Sequence, residues 1–532
     1  MNTRLTILFL FFVWIVGLGL AKADSIEVSG AVFGHWSTDT VFVAGNIDLR
    51  ESKTLIIDPG VTVIFNGTYY FRVDGCLRAV GSMENPILFT RNDTLGFHVD
   101  TIADGGWKQI RVENINTSVD SILFRYCRFE YGKAVDQDSI HGYGGALCVR
   151  NTDRVSVAHC TFANNYAYYS GGAVYLENAS VVMKNSGFTD NRCGQTQDDY
   201  GYGGGLCSDH SEAIIENNQF NLNSSTGIGG GLCIRFSDGP VAFNVFEDNY
   251  SALGGGLGML HIDTCHYSIS NNLVVNNGAY FFGAGISNGD CSPTYVNNTI
   301  INNHCIGGGG GFYCKDSVVP VLINNILYGN TEYGGESNQV YLWDITSQPD
   351  FYYNNIQGGT DGFSGTGASD FTGVYDHNID FDPMFETNSF NLLQASPCVN
   401  AGKPDTMGMM IPAHDLADHH RVVGDTIDIG AYEYQASSGI ELESTEDNPL
   451  SLVLFPNPVV DDLHFEFDLS DQELVSVVVT NMRGQTVEVI LAETMYPGNH
   501  QFIWNASGLD TGVYVVLTQT SRGVMSRKFI KK

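Results

Sequence analysis

A repeated glycine motif is the feature that most constrains how this chain folds. Two or three small residues, mostly glycine, precede an aliphatic or aromatic residue, and the pattern recurs roughly every 26 residues. Between successive runs stands a second motif, an apolar residue followed three positions later by asparagine, as in Phe220 and Asn223. The glycine runs occupy residues 144–147, 171–174, 203–206, 229–232, 254–257, 283–286 and 309–312. This recurrence predicts a repeat architecture and argues against a single phosphate-binding loop.

The segments between these motifs read as short strands, because they are rich in β-branched and aromatic residues and are bounded by glycine and asparagine. A unit of roughly 26 residues holds about three short strands and three turns, which is one coil of a parallel β-helix. Successive coils stack about 4.8 Å apart, so equivalent residues form ladders. We predict that Phe188, Phe220 and Phe246 stack in the interior, and that the repeat asparagines bond amide to amide along the axis.

The glycine run and the F-x-x-N motif resemble the repeats of chlamydial polymorphic membrane proteins. More broadly, they resemble right-handed parallel β-helices of the pectin-lyase-like type. The segments 396–402 and 428–433 are similar to the ending of many secreted bacterial β-helices. That family usually has a D-x-x-G-x-x-R segment between the two. Asp415 and Arg421 fit this pattern, but Asp418 stands at the glycine position, so we expect the loop to depart from it.

The end of the chain has a different composition. Residues 436–450 are acidic and serine-rich, which is typical of a linker. Residues 451–532 open near a Pro-Asn-Pro segment, contain a Gly-Val-Tyr strand start at 512–514 and end in two lysines. They resemble the C-terminal sorting domain of the type IX secretion system. The resemblance implies a small β-sandwich, the type IX machinery as partner, and a place on the outer surface of a bacterial cell. An ordinary ligand-binding β-sandwich is the alternative.

The first residues predict export. Residues 1–23 combine a positive start at Arg4, an apolar run and an Ala-Lys-Ala site, which is the pattern of a secretory signal peptide. No other run is apolar and long enough to span a membrane, so no span is expected in the mature chain. We assign residues 24–111 to an N-terminal cap with the first coils and residues 112–435 to the regular β-helix. The predicted fold class is all-β, a right-handed parallel β-helix followed by a small C-terminal β-sandwich.

The charge balance limits the partners. The formal net charge is -33 and only 16% of the residues are charged. This balance argues against nucleic acid and anionic membrane surfaces. It leaves neutral glycans, proteins and divalent cations. We predict no cofactor, with Ca²⁺ as the cation that would bridge an anionic glycan.

The 12 cysteines leave two alternatives open. Several fall in the same register of neighbouring coils, within the Cα range of a disulfide, yet free cysteines are also common as buried small hydrophobes. The register pairs are Cys127 with Cys160, Cys207 with Cys233, and Cys265 with Cys291. No C-x-x-C zinc pattern occurs, so no metal site is predicted from the cysteines. The Asp415, Asp418, His419 and His420 group reads as a solvated loop more readily than as a metal site.

An enzymatic reading rests on two acidic residues. Asn151-Thr152-Asp153 and Asp198-Asp199 occur in the order of polygalacturonase-like segments, but no G-H-G or R-I-K segment follows. Asp198 and Asp199 are therefore the candidates of the weaker hypothesis, a polysaccharide lyase or glycoside hydrolase. Whether the protein is an enzyme stays undecided from the sequence.

The two long insertions mark a binding edge. Both fall between a repeat asparagine and the next glycine run, at residues 133–143 and 192–202. Insertions on one edge of a solenoid usually build its binding face. The candidate ligand-binding residues of this edge are Tyr143, Tyr168, Tyr169, Tyr200, Tyr202 and Tyr250. We predict binding or adhesion to a glycan or a surface protein; packing of these rings on each other is the alternative.

Overall fold

The computed structural model describes the chain with several gaps, in two compact units, Met1–Gln435 and Ala436–Lys532. The described residues are 25–115, 122–137, 141–195, 200–262, 268–404, 413–423, 426–435, 453–455, 458–469, 472–481, 486–509, 511–520 and 523–532. The predicted signal peptide, the linker 436–450, Asp198, Asp199 and Cys265 lie outside the described residues. The domain bounds drawn from the sequence stay predictions.

The first unit consists of short strands. In chain order they are β1 Ser25–Ala31, β2 Gly34–Trp36, β3 Thr40–Leu49, β4 Thr54–Ile57, β5 Thr62–Phe65, β6 Phe71–Val73, β7 Cys76–Val80, β8 Ile87–Thr90, β9 Ile110–Glu113, β10 Ile122–Arg125, β11 Cys127–Glu130, β12 Lys133–Ala134, β13 Leu147–Ala158, β14 Thr161–Ala163, β15 Tyr166–Ala167, β16 Val174–Lys184, β17 Gly187–Thr189, β18 Arg192–Cys193, β19 Leu206–Asp209, β20 Glu212–Glu216, β21 Gln219–Asn221, β22 Ser224–Ser225, β23 Leu232–Arg235, β24 Val241–Ala242, β25 Val245–Glu247, β26 Tyr250–Leu253, β27 Leu257–Ile262, β28 Ser268–Ser270, β29 Leu273–Val275, β30 Gly278–Phe282, β31 Ile286–Cys291, β32 Thr294–Val296, β33 Thr299–Ile301, β34 His304–Cys305, β35 Phe312–Lys315, β36 Val321–Ile323, β37 Ile326–Tyr328, β38 Val340–Leu342, β39 Asp350–Tyr352, β40 Asn355–Ile356, β41 Phe363–Ser364 and β42 Tyr375–Asp376. A short 3-10 helix occupies Gly359–Gly362.

These strands form the coils of a parallel β-helix. One coil contains β23, β24 and β25 on three faces, and β26 on a shorter fourth sheet that we call the edge sheet. Each strand pairs in parallel with its equivalent in the next coil, β23 with β27, β24 with β28, β25 with β29 and β26 with β30. The edge sheet comprises β12, β15, β18, β22, β26, β30 and β34. The predicted β-helix is confirmed, and the coils already begin at β1, which pairs in parallel with β3.

The interior contains the predicted aromatic ladder. Phe188 stacks on Phe220 with ring centroids 4.6 Å apart, and Phe220 on Phe246 at 4.9 Å, with all three rings buried. The ladder continues toward the N-terminus through Phe162, Phe129 and Phe89. Beyond Phe246 the same register holds aliphatic residues, as Val274 and Ile300 show. Stacked parallel rings bury a large apolar area at each coil, which stabilises the stack.

Two ladders of asparagines, all buried except the half-buried Asn378, occupy the turns on either side of the third face. Asn223 is typical: its Nδ2 donates to Asn249 Oδ1 of the next coil at 3.0 Å and to Phe188 O of the preceding coil at 2.9 Å. One ladder contains Asn165, Asn191, Asn223, Asn249, Asn277, Asn303 and Asn330. The other contains Asn218, Asn244, Asn272, Asn298, Asn325, Asn354 and Asn378. The predicted amide-to-amide bonding is confirmed, and it satisfies turn backbone groups that the strands do not reach.

The glycine runs form the turn before the first face. The first glycine of each run has a positive φ, 75° at Gly229. The second faces backbone directly: a Cβ on Gly230 would lie 2.4 Å from Gly255 O of the next coil. Glycine is needed at the first position for conformation and at Gly230 for close approach, whereas the run 283–286 carries Ala284 at the second position.

A closing segment, comprising residues 379–404, 413–423 and 426–434, covers the third face of the later coils. Asn297 Nδ2 donates to Asp428 O at 2.8 Å, and Gly430 N donates to Asn324 O at 2.8 Å. Leu392, Cys398 and Ile429 pack on Ile326, where the face is apolar. Asp418 takes a φ of 63°, the left-handed conformation that glycine would adopt, which Asp tolerates better than most residues. Arg421 is buried behind it and lies 3.7 Å from Glu433.

The cysteines of the described residues are buried. Cys207 and Cys233 are register partners on the first face and pack with Cys148 and Tyr175 on its outer side. Burial raises the pKa of the Cys207 thiol well above its ordinary value. Of the two alternatives left open by the sequence, the structure contains buried thiols at the pairs Cys127 with Cys160 and Cys207 with Cys233. The pair Cys265 with Cys291 is not tested, because Cys265 lies outside the described residues.

The second unit is an antiparallel sandwich of two sheets. Its strands are β43 Val453–Phe455, β44 Asp462–Leu469, β45 Glu473–Asn481, β46 Thr486–Met495, β47 Gly498–Asn505, β48 Gly512–Thr520 and β49 Gly523–Lys531. One sheet has the order β43-β44-β47 and the other β46-β45-β48-β49. Leu463, Phe465, Val477, Val516 and Phe529 are buried in its core. Alternation of buried and exposed residues, clearest in β45, is what a two-layer β fold requires.

Within the described parts of the chain, no helix has the length and apolarity to cross a membrane.

Candidate functional site

A groove with a volume of about 310 Å³ runs beside the edge sheet. Its walls come from five successive coils and from a loop, residues 93–106, that we call the groove loop. The lining residues are Asp100, Tyr166, Arg192, Cys193, Gly194, Gln195, Ser224, Ser225, Thr226, Tyr250, Ala252 and Tyr280. Because β15, β18, β22, β26 and β30 are in register, residues far apart in sequence meet here.

One end of the groove is built around Arg192. Its guanidinium lies over the ring of buried Tyr166, 5.0 Å from the centroid, and pairs with Asp100 at 2.8 Å between Nη1 and Oδ1. Gln195 Nε2 donates to Asp100 O at 3.2 Å. Burial raises the pKa of the Tyr166 hydroxyl well above its ordinary value, so the phenol stays neutral. This end of the groove therefore carries polar groups with little net charge, because the guanidinium of Arg192 is paired with the carboxylate of Asp100.

The other end of the groove is aromatic. Tyr250 is 48% exposed and Tyr280 is 41% exposed, although both lie on strands of the edge sheet. Gly278 pairs with Tyr250 in register, and the Tyr250 ring lies 2.8 Å from where a Cβ of Gly278 would be. Ser224 and Thr226 lie between the two ends. Two exposed rings beside hydroxyl groups form a surface with both an apolar and a hydrogen-bonding component.

The groove loop is fixed by Lys133. This residue, at the start of β12, is 1% exposed, and its Nζ donates to Gly96 O, Val99 O and Asp104 O at 2.9, 3.0 and 2.9 Å. Phe97, also buried, lies 5.5 Å from the ammonium. Burial lowers the pKa of Lys133 to about 8.

Of the six predicted tyrosines, only Tyr250 lines the groove. Tyr143 packs on Tyr169 and Tyr175, with centroids 5.0 and 4.6 Å apart. Tyr168 is 8% exposed and meets Tyr169 edge to face at 4.7 Å.

Tyr200 and Tyr202 lie on the long insertion between β18 and β19. Arg235 lies over the Tyr202 ring at 4.7 Å and also pairs with buried Asp209. Tyr200 is 59% exposed, and its Cβ lies near Gly227, the residue after Thr226 of the groove. The predicted edge therefore divides into a packed cluster on the first face and an exposed part at the groove.

A second groove, of about 450 Å³, lies between the closing segment and the turns of Asn185 and Asn217, with His414, Asp415 and Asp418 on its wall. The Asp415 carboxylate accepts three backbone N–H bonds, from Ala417, His419 and Glu433 at 2.8 to 2.9 Å. These hydrogen bonds use the Asp415 carboxylate to fix the backbone of the closing segment around it. Among the described residues, no group of three or more His, Cys, Asp or Glu side chains is arranged to hold a metal ion.

Four residues that line or support the groove fall outside the predicted set of ligand-binding residues: Asp100, Arg192, Lys133 and Tyr280. Asp100 and Arg192 are 92 positions apart, and nothing in the repeat pattern links an early loop to a later coil. Lys133 begins the insertion 133–143, which the sequence shows. Its partners are backbone carbonyls, which every residue has, so no sequence pattern identifies them. Tyr280 could be found by aligning the coils, since it follows Gly278, the register partner of Tyr250.

Comparison with known proteins assigns both parts of the chain. Residues 87–303 match the family described as right handed beta helix region, and residues 453–532 match the secretion system C-terminal sorting domain. No curated protein matches the chain. Among solved structures it is similar to the enzymatically active domain of bacteriophage CBA120 tailspike protein 4, at 9% identity and a TM-score of 0.21. The similarity covers 92% of this chain and 64% of that one. The chain thus carries a right-handed β-helix and a type IX secretion sorting domain, which marks it as a bacterial protein secreted and attached at the cell surface.

Proposed function

We propose that this surface protein binds a neutral glycan in the groove beside the edge sheet, as an adhesin. The observation that carries the proposal is the pair of exposed rings, Tyr250 and Tyr280, facing a groove whose other groups are hydroxyls, amides and a paired guanidinium. Pyranose rings have apolar C–H faces and a rim of hydroxyls. Exposed aromatic faces bind the former, and polar side chains bind the latter.

The charges favour a neutral ligand over an anionic one. Arg192 is already paired with Asp100, so no unpaired cation of the described lining awaits a carboxylate or sulfate. The net charge of -33 adds a repulsive field for polyanions at low ionic strength. A Ca²⁺ bridge to an acidic glycan remains the alternative route for binding polyanions.

The test is a binding screen with the purified protein. Dextran, mannan and β-glucan serve as neutral probes, and polygalacturonate as the acidic probe with and without Ca²⁺. We expect saturable binding of a neutral polymer. Tyr250→Ala with Tyr280→Ala should weaken it about tenfold, which corresponds to roughly 1.4 kcal/mol. Tyr333→Ala, which removes a 75% exposed ring that does not line the groove, is the matched control.

Failure of every neutral polymer to bind would contradict the proposal, as would binding that the double tyrosine variant leaves unchanged. The same incubations address hydrolysis or lyase activity. Asp100 is the only carboxylate among the described lining residues, whereas glycoside hydrolysis normally uses two. New reducing ends or unsaturated products that Asp198→Asn or Asp199→Asn abolishes would therefore replace binding with catalysis as the function.

A further inference from the structure

Lys133 is a buried cation with an unusual set of partners. Three backbone carbonyls of the groove loop, those of Gly96, Val99 and Asp104, converge on its Nζ. An ammonium has three N–H donors, so this arrangement uses all of them. Burying a charge is costly unless its hydrogen bonds are replaced, and here each is replaced by a loop carbonyl.

Apart from Lys133, three polar side chains of the body bond the loop: Arg192 and Gln195 bond Asp100, and Arg91 Nη1 donates to Gly106 O. Its internal backbone bonds are three turn contacts, Phe97 N to Thr94 O, Val99 N to Gly96 O and Ile102 N to Val99 O, at 3.0 to 3.3 Å. Leu95, Val99 and Ile102 are exposed, so the loop tip contributes little apolar burial. Phe97 is the buried apolar side chain of the loop.

The charged groups around Lys133 also connect it to the groove. Asp100 and Asp104 favour its charged form, whereas Arg91 and Arg192 oppose it. With a pKa of about 8, the amine is mostly protonated at neutral pH. Asp100 lies between Gly96 and Asp104, whose carbonyls Lys133 holds, and its carboxylate pairs with Arg192.

We propose that Lys133 is a positioning residue for the groove: its ammonium holds the groove loop closed through three carbonyls and thereby places Asp100 against Arg192. Lys133 itself does not line the groove. For its effect on ligand binding the inference rests on the proposed glycan site. Its effect on the loop is independent of any ligand.

The first experiment measures the loop alone by hydrogen exchange of the intact protein. Lys133→Met keeps the aliphatic stem and removes the ammonium. We expect the amides of Phe97, Val99 and Ile102 to lose protection, while amides of β13 and β16 remain protected. Lys108→Met is the matched control, because Lys108 pairs with Asp136 at 2.6 Å and bonds no loop carbonyl. Unchanged loop protection in Lys133→Met would overturn the proposal.

The second experiment separates positioning from general packing. Lys133→Ala leaves space for a small amine, so propylammonium should restore loop protection, whereas tetramethylammonium, which has no N–H donor, should not. Equal effects of the two amines would overturn the role assigned to the N–H donors. The Met variant decides the loop question if the Ala variant does not fold.

The third experiment measures binding of the neutral polymer that the screen identifies. Lys133→Met should weaken its binding, and propylammonium should restore binding in Lys133→Ala. Loop opening without any loss of affinity would refute the positioning role while leaving the glycan site intact. Conversely, if no polymer binds the wild type, the glycan proposal fails and the exchange data still decide whether Lys133 holds the loop.

Discussion

At the scale of single residues, the coils tolerate substitution very unevenly. Gly230 lies where three backbone atoms would approach an added Cβ to within 2.4 to 2.7 Å, those of Gly255 O, Tyr250 O and Tyr250 N. Backbone in a stacked coil cannot move without disturbing the coils on both sides. Gly187 lies on the third face. A Cβ added to it would have no atom within 4 Å, and its φ is not positive.

This contrast predicts opposite outcomes for the same mutation. Gly230→Ala should destabilise the β-helix by an amount on the order of 3 kcal/mol, the upper part of the range for overpacking, because the clash involves backbone. Gly187→Ala should be neutral or stabilise slightly, since it only reduces the freedom of the unfolded chain. Thermal unfolding followed by circular dichroism measures both. Equal melting temperatures for the two variants would show that the glycine run is not constrained by close approach.

At the scale of elements, the closing segment depends on a buried carboxyl. Burial, followed by the neighbouring Asp428, raises the pKa of Glu433 to about 8, while Arg421 opposes that rise. In the unfolded chain the pKa is near its ordinary value of 4.5. Between these values the folded protein binds a proton that the unfolded chain lacks. The contribution of Glu433 to stability is therefore complete below about pH 4.5 and is lost as the pH rises through 8.

Glu433→Gln isolates this contribution from the other carboxylates. The variant carries a permanently neutral side chain of the same shape. We expect the melting temperature of the variant, relative to wild type, to rise as the pH is raised from 5 to 8.5, because only the wild type loses its proton. Glu386→Gln, in an exposed turn of the same segment, is the control and should show no such trend. A difference that is constant with pH would contradict the raised pKa.

How far the sequence predicts these elements depends on whether they repeat. The interior ladders of Phe188 and Asn223 follow from the period, because stacking at one register forces equivalent residues together. The groove loop does not repeat, and its contact between Asp100 and Arg192 depends on where one irregular loop folds back. The same limit applies to the tyrosines. The period places Tyr168 and Tyr250 on one edge, but which ring is covered depends on loops without a repeat.

At the scale of the whole molecule, the two units have separate cores and separate tasks. The sorting domain has a buried cluster of its own, around Phe465 and Val477, and directs export and surface attachment. The β-helix contains the candidate groove. The described lining residues of the groove belong to the first unit.

This division predicts how the exported protein is processed. If the sorting domain is only an address, protein released from the cell surface should end within the linker 436–450, near Pro449. Mass spectrometry of intact released protein gives the C-terminus directly. Deleting residues 451–532 should leave a folded β-helix that is not exported. Finding released protein with the whole domain still attached would show that the domain is retained as part of the mature molecule.

The asparagine ladders give the β-helix a chemical direction. Between successive asparagines of each ladder, Nδ2 donates to Oδ1 of the C-terminal neighbour, as Asn249 does to Asn277, and the backbone N–H of Asn249 donates to the same oxygen. One rung cannot be reversed alone, because two amide N–H groups would then face each other. The side-chain dipoles therefore add along the axis. A cut between the coils of Asn223 and Asn249 exposes the Nδ2 and backbone N–H donors of Asn223 and the carbonyl of Phe220 on one surface. The other surface exposes Oδ1 and the second Nδ2 donor of Asn249, so the two ends offer different templates to an arriving coil.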